Sequence, residues 1–139
     1  MKCFFEKVKI EDFSDVKALI RKVETLSLNM KFSSFEAANL KLAVSEISTN
    51  VLKYAENGLA TIYYNECNRE IEITVDDSGP GITFVELAAI DGYSTFRGPS
   101  LGLGLGAAGR SVDSLKVENK VGGGLKVRLK KTSNFTGNT

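Results

Sequence analysis

The stretch from Val75 to Gly106 constrains this chain more than any other. Eight of its 13 glycines fall in the 31 residues from Gly79 to Gly109, directly after a strand-like run. The stretch reads Val75-Asp76-Asp77-Ser78-Gly79-Pro80-Gly81, then Asp91-Gly92-Tyr93-Ser94-Thr95, then Gly102-Leu103-Gly104-Leu105-Gly106. Glycine has no Cβ, so backbone N–H groups can approach an anion closely, and a helix that starts just after such a loop adds the positive end of its dipole. One cluster alone is equally compatible with tight turns. Two clusters with an acid at the head of the first favour a nucleotide site.

Length and composition limit the alternatives. A chain of 139 residues with 42% hydrophobic content suits one compact domain, expected over residues 1–131, with a small, polar tail at 132–139 expected to fray. Lys and Arg total 18 against 17 Asp and Glu, so no broad basic field invites nucleic acid as a direct partner. No run approaches the roughly 20 apolar residues of a membrane span, and Met1 to Lys7 turns charged too early for a secretory segment. Cys3 and Cys67 fit neither a zinc spacing nor a disulfide framework, which points to a reducing, cytoplasmic setting. Histidine is absent. That excludes Ser-His-Asp and Cys-His catalysis, a phospho-accepting histidine, and the His-Arg-Asp loop of eukaryotic-type protein kinases.

Along the chain, Phe4 to Ile10 alternates as an edge strand. Asp12 and Asp15 open a helix whose stripe Val16, Leu19, Ile20, Val23 and Leu26 reads as plain core packing. Ser33 and Glu36 form the capping box of a second helix, with Leu40, Ala43, Val44, Ile47, Val51 and Tyr54 on its apolar face. Glu46, Asn50 and Lys53 border that face within roughly 60° of one another, as either a solvated helix edge or the rim of a site. The segment from Glu56 to Leu59 is expected to end this helix, with Asn57-Gly58 supplying a pair that tolerates the left-handed conformation. Ala60–Glu66 and Glu70–Asp76 form a hairpin that delivers Asp76 and Asp77 to the glycine loop. A short helix is expected over Phe84–Ile90, a lid over Asp91–Leu101, a helix over Gly106–Val112, and strands over Leu115–Asn119 and Leu125–Lys130 around a Gly122-Gly123-Gly124 turn.

Two common nucleotide motifs do not apply. A P-loop needs Gly-Lys, which never occurs in this chain, and Gly104-Leu105-Gly106-Ala107-Ala108-Gly109 lacks the preceding strand of a Rossmann fingerprint. What remains is an ordered set spanning residues 40 to 130: Glu46-x-x-x-Asn50 on a helix, Asp77-x-Gly79-x-Gly81 after a strand, Gly102-x-Gly104-x-Gly106 opening a helix, and a late glycine turn. This set resembles the Bergerat-fold (GHKL) ATPases, the superfamily of gyrase, Hsp90, histidine kinases and MutL. Within it, the small size and the Asp91–Thr95 wording look most like bacterial serine/threonine kinases of the RsbT-like switch type, with RsbW and SpoIIAB anti-sigma kinases next.

The resemblance implies an α+β, two-layer sandwich with a mixed, mainly antiparallel sheet and helices on one face. It implies ATP and Mg²⁺ as cofactors. Asp77 would accept from the adenine amino group, with Gly79 and Gly81 letting the ring lie against the backbone, and Asn50 would offer its amide oxygen to magnesium, which is often held by few protein ligands. Gly102, Leu103, Gly104, Leu105 and Gly106 would wrap the phosphates with backbone N–H groups. Glu46 would be the general base toward a serine or threonine hydroxyl, and Lys53 would touch phosphate, a role open to Arg97 or Arg110 as well. The implied activity is phosphorylation of a STAS-domain substrate or scaffold such as the stressosome, with release to a phosphatase. Two alternatives are an anti-sigma kinase that binds a sigma factor, and a partner-binding module that keeps the fold without the chemistry. One position departs from the pattern. Leu125 stands where the family usually has threonine, which would remove one polar contact near the adenine, about 0.5–1.5 kcal/mol.

Overall fold

The computed structural model describes residues 3–55, 57–78, 105–120 and 123–136. Its elements follow the sequence pattern closely. Strand β1 (Cys3–Ile10) leads into helix α1 (Phe13–Asn29), helix α2 (Ser34–Tyr54) and the strands β2 (Gly58–Asn65) and β3 (Glu70–Asp77); helix α3 (Leu105–Ser111) then precedes β4 (Ser114–Asn119) and β5 (Leu125–Thr132). The expected helix over Phe84–Ile90 and the lid over Asp91–Leu101 lie outside the described residues.

Both long helices start where their capping boxes predict. Asp12 caps α1, its carboxylate accepting from Asp15 N–H while the Asp15 carboxylate accepts from the Asp12 N–H. The Ser14 hydroxyl and the Asp15 N–H hold the Asp12 carboxyl below its usual range. Ser33 and Glu36 make the same reciprocal pair at the head of α2, at 3.0 and 2.9 Å. Each pair satisfies two of the N–H groups that a helix start leaves without partners.

The five strands run in the order β1-β2-β3-β5-β4. All four pairings are antiparallel, so among the described residues the sheet is not mixed. β1 lies at one edge, as its charged and alternating sequence suggests. Register places Ile10 opposite Gly58, Ala60 opposite Val75, Val75 opposite Val127, and Val127 opposite Val117. One face of the sheet is therefore apolar, and α1 and α2 cover it. Val16, Leu19, Val23, Leu40, Ile47, Ile62, Ile73 and Leu129 are at most 1% exposed in the shared core, each contributing about 1.5–3 kcal/mol by leaving water.

Two expectations need correcting. Helix α2 does not end through a left-handed Asn57-Gly58 pair: Ala55 is the cap in extended conformation, at φ −141° and ψ 169°, and Gly58 is already the first residue of β2. Gly58 is needed there for space, since a Cβ would sit 2.9 Å from both Asp76 O and Val51 Cγ1. The tail is also not free between Thr132 and Phe135. Thr132 belongs to β5, the Ser133 hydroxyl and Asn134 N–H donate to the two oxygens of Glu36 at 2.7 and 2.8 Å, and Arg69 Nη1 donates to Phe135 O at 2.6 Å. Arg69 also reaches Met30 O and Lys31 O. One guanidinium thus ties the β2–β3 turn, the α1–α2 connection and the C-terminal segment at one pole. The positive φ of Arg69, 53°, places it in the turn where a residue of the left-handed region is required.

Candidate functional site

The opposite pole gathers the chemistry. Asp77 ends β3 opposite Gly58, and Gly58 lies against Val51 near the end of α2. The last turns of α2 and the acidic end of β3 are therefore brought to the same end of the sheet. Helix α3, which begins with Leu105, packs on α2. The tertiary fold thus assembles three pieces that are separated by more than 20 residues in sequence at each step.

The two neighbouring acids have different surroundings. Asp76 points to the uncovered face, where Lys120 and Lys126 each approach its Oδ1 at 3.8 Å. Asp77 follows the period of two onto the helix-covered face. Its Oδ1 accepts the Leu125 N–H at 3.0 Å, and its carbonyl accepts from Lys120 Nζ at 3.1 Å. Asp77 is the residue whose carboxylate is set by main chain, and it is the acid singled out in the sequence.

The glycine turn supports this arrangement from below. Gly123 and Gly124 have φ of 111° and 97°, and a Cβ on Gly124 would stand 2.0 Å from Asp77 O. Only glycine lets the β4–β5 turn close against the end of β3 in that conformation. A cleft of about 570 Å³ opens beside Asp77, with Asn57, Gly58, Asp76, Ser78 and Lys120 in its wall. It exceeds the clefts under α1, about 510 Å³, and on the uncovered sheet face, about 370 Å³. Ser78 is joined to Asn57 by its hydroxyl at 3.1 Å and by its N–H at 3.4 Å, so the start of the first glycine loop is fastened to the segment after α2.

On α2, Glu46 and Asn50 are half-buried and Lys53 is exposed. Glu46 Oε2 is out of contact with solvent and, among the described residues, has no hydrogen-bond partner. Leaving a buried acceptor unsatisfied costs about 1–3 kcal/mol, and more for a charged group. Such an atom fits a site whose partner arrives with a ligand or substrate. Leu105 is fully buried as part of the core, so its side chain packs the base of α3, and only its backbone is available to a ligand. Gly106 lies one residue into the same helix. Gly79, Gly81, Gly102, Leu103 and Gly104 lie outside the described residues, as does Arg97; Arg110 is exposed on the last turn of α3.

Sequence reasoning missed Lys120, Asn57 and Ser78. Lys120 meets Asp77 only because β5 pairs with β3 and the β4–β5 turn folds back, a long-range consequence that no local pattern carries. Asn57 and Ser78 read as turn residues in sequence, and their bond across 21 positions appears only once β2 and β3 are in register. Among the described residues no cluster of three acidic or cysteine side chains could hold a metal ion, and no helix is long and apolar enough to cross a membrane.

The fold and sequence are similar to those of known proteins. The serine/threonine-protein kinase RsbT of Bacillus subtilis is 27% identical over 123 residues, covering 87% of this chain and 91% of that protein. The anti-sigma F factor of Clostridium perfringens is 34% identical over 106 residues, covering 71% and 74%, and that of Clostridium acetobutylicum is 35% identical over 102 residues, covering 69% and 70%. In fold, the chain resembles the crystal structure of the RsbU and RsbW domains of Rv1364c from Mycobacterium tuberculosis, with a TM-score of 0.66 at 11% identity over 98% of this chain; it spans about a third (34%) of that longer chain. Residues 11–131 match the family described as histidine kinase-like ATPase domain. With its five-stranded antiparallel sheet, its two capped helices and the paired signals of α2 and β3, this chain belongs to the histidine kinase-like ATPase domain family.

Proposed function

We propose that this protein is an ATP-dependent serine/threonine protein kinase that phosphorylates a STAS-domain protein and acts by partner switching in bacterial stress or sigma-factor signalling. Residues 1–131 act as its single catalytic domain, and its setting is cytoplasmic. The observation that carries the reading is Glu46: its Oε2 is buried without a donor among the described residues, one helical turn before Asn50, in a chain that aligns over 91% of a serine/threonine kinase.

The residues present fit Mg²⁺-ATP. A carboxylate oriented by main chain at Asp77 suits an amino donor on the base, and a buried, unpaired acceptor at Glu46 suits an incoming hydroxyl. Bound ATP would supply the phosphoryl group, and magnesium would neutralise its charge. Asp77 reads the adenine amino group, helped by Gly79 and Gly81. Asn50 offers its amide oxygen to the metal. Backbone N–H groups from Gly102 to Gly106 would bind phosphate, with Lys53 or Arg110 adding positive charge. Glu46 would accept the proton of the substrate hydroxyl as that oxygen bonds to the γ-phosphorus and the bond from that phosphorus to the β-phosphate oxygen breaks, with ADP as the leaving group. Phosphoryl transfer depends mainly on positioning and charge neutralisation, which such a set provides.

A second reading, an anti-sigma kinase that binds a sigma factor, is favoured by the higher identity to the anti-sigma F factors, 34–35%. Two measurements test the proposal. Mg-ATP at 100 times its Kd should stabilise the wild type by about 2.7 kcal/mol, and Asp77→Asn should lose the shift. Radiolabelled ATP should then label a STAS-domain protein in the presence of the wild type. No label on any STAS protein, together with stable capture of a sigma factor, would move the second reading to first place.

A further inference from the structure

The outer side of α2 carries apolar side chains that the fold does not use. Phe35 is 76% exposed and Leu42 is 45% exposed, and Ala38 between them is exposed as well. Other exposed aromatics have partners: Phe4 stacks on Tyr64 with centroids 5.1 Å apart, Phe5 leans on Tyr63 at 6.2 Å, and the Lys17 ammonium sits over Phe13 at 5.3 Å. Among the described residues Phe35 has no ring or cation against it. A helical position that faces water is ordinarily filled by a polar residue, so two large apolar groups on one line call for a partner.

That line runs to the candidate base. At 100° per residue, Phe35, Leu42, Glu46 and Lys53 fall within about 40° of one another around α2, and at 1.5 Å per residue Leu42 and Phe35 lie about 6 Å and about 16 Å before Glu46 along the axis. Asn50, Lys53 and the Asp77 pole lie on the other, C-terminal side of Glu46, which the nucleotide occupies under the kinase reading. A folded protein that delivers a hydroxyl to Glu46 must therefore approach from the N-terminal side. A stable protein contact buries roughly 800 Å² on each partner, a patch about 16 Å in radius. Centred on Glu46, such a patch reaches past Leu42 to Phe35.

We propose that Phe35, Ala38 and Leu42 form the docking rail for the phosphate-accepting protein, which seats an apolar ridge on α2 beside its serine or threonine. This rests on the kinase reading and deepens it. Exposed Phe and Leu on a rigid helix supply contact area without new ordering of the backbone, which lowers the cost of binding. The rail sets substrate affinity and leaves the nucleotide side of Glu46 untouched.

The test is phosphotransfer from radiolabelled ATP to the STAS-domain protein that the wild type labels, comparing wild type, the double variant Phe35→Ser with Leu42→Ser, and Phe5→Ser as an exposed apolar control on the other face of the molecule. Both rail positions are exposed, so the variant should melt with the wild type. The expected result is a rise of tenfold or more in the KM for the protein substrate, with kcat at saturation and the KM for ATP within twofold, and no change in Phe5→Ser. A protein-substrate KM within twofold of wild type overturns the rail while leaving the kinase reading in place. A wild type that labels no STAS protein overturns the kinase reading and the rail with it. A dimeric wild type that the double variant converts to monomers in sedimentation also overturns the proposal, because the face would then belong to a second copy of this chain.

Discussion

Oδ1 of Asp77 accepts the backbone N–H of Leu125 at 3.0 Å, across 48 positions of sequence. The carboxylate expected to read adenine is thus oriented by main chain, which any residue except proline can supply at position 125. Leu125→Thr should keep this bond and restore a hydroxyl beside it. Titration calorimetry with Mg-ATP should show affinity improved by about two- to tenfold, the equivalent of about 0.5–1.5 kcal/mol. Stability should fall, because Leu125 is 7% exposed in the core and the change removes buried apolar surface. Unchanged affinity would show that the site does not use a hydroxyl there.

Adjacent glycines should respond unequally. Gly123→Ala meets no atom within 4 Å and should cost only the strain of its positive φ, about 1–3 kcal/mol. Gly124→Ala adds a Cβ 2.0 Å from Asp77 O and should cost a further 1–3 kcal/mol, roughly, for displaced backbone. Urea unfolding of the two variants measures the difference. Only Gly124→Ala should also weaken nucleotide binding, since it pushes on Asp77.

Glu46→Gln separates catalysis from binding. Loss of a general base lowers the transfer rate by about 10²–10⁴-fold, and quenched-flow transfer assays should find a drop in that range with ATP affinity unchanged. The melting temperature should hold or rise, because the amide replaces a buried, unpaired carboxylate oxygen. A transfer rate equal to wild type would remove Glu46 from the base role and favour a binding module.

The Glu36 pole makes stability depend on pH. Burial pushes the Glu36 carboxyl up, and donors from Ser33, Ser133 and Asn134 together outweigh it, leaving the group below its usual value of 4.5. A carboxyl lowered on folding contributes stability that is fully present above the unfolded value and is lost as pH falls through the folded one. Glu36→Gln should therefore cost about 1–3 kcal/mol at pH 7 and progressively less as pH falls below 4.5. Urea midpoints across a series of falling pH values test this; a loss that does not change with pH would assign the effect to packing.

Much of the fold was legible from local pattern. Asp12 with Asp15 and Ser33 with Glu36 mark both helix starts, because a capping box lies within four residues. The stripe from Leu40 to Val51 and the alternation of Ile71, Ile73 and Val75 name the core, since each follows the period of its own backbone. The end of α2 was less legible. Gly58 reads equally well as a helix terminator or as a point of close approach, and only the nearness of Val51 and Asp76 O shows which. The tail from 132 reads as small and polar, and its anchoring depends on Glu36 and Arg69, far away in sequence.

The sequence by itself determined the order of the elements, the pairing of Glu46 with Asn50 on one helix, and the acid at the head of the glycine loop. These are local facts, set by the spacing of residues along one helix or strand. The tertiary structure decided which of two adjacent acids is held by main chain and which is flanked by lysines, that Lys120 and Leu125 meet Asp77, and that a buried oxygen of Glu46 has no donor among the described residues. Those outcomes depend on strand order and register, where β5 inserts between β3 and β4. Register is fixed by burying one face of the whole sheet against α1 and α2, a choice that no single segment can make alone.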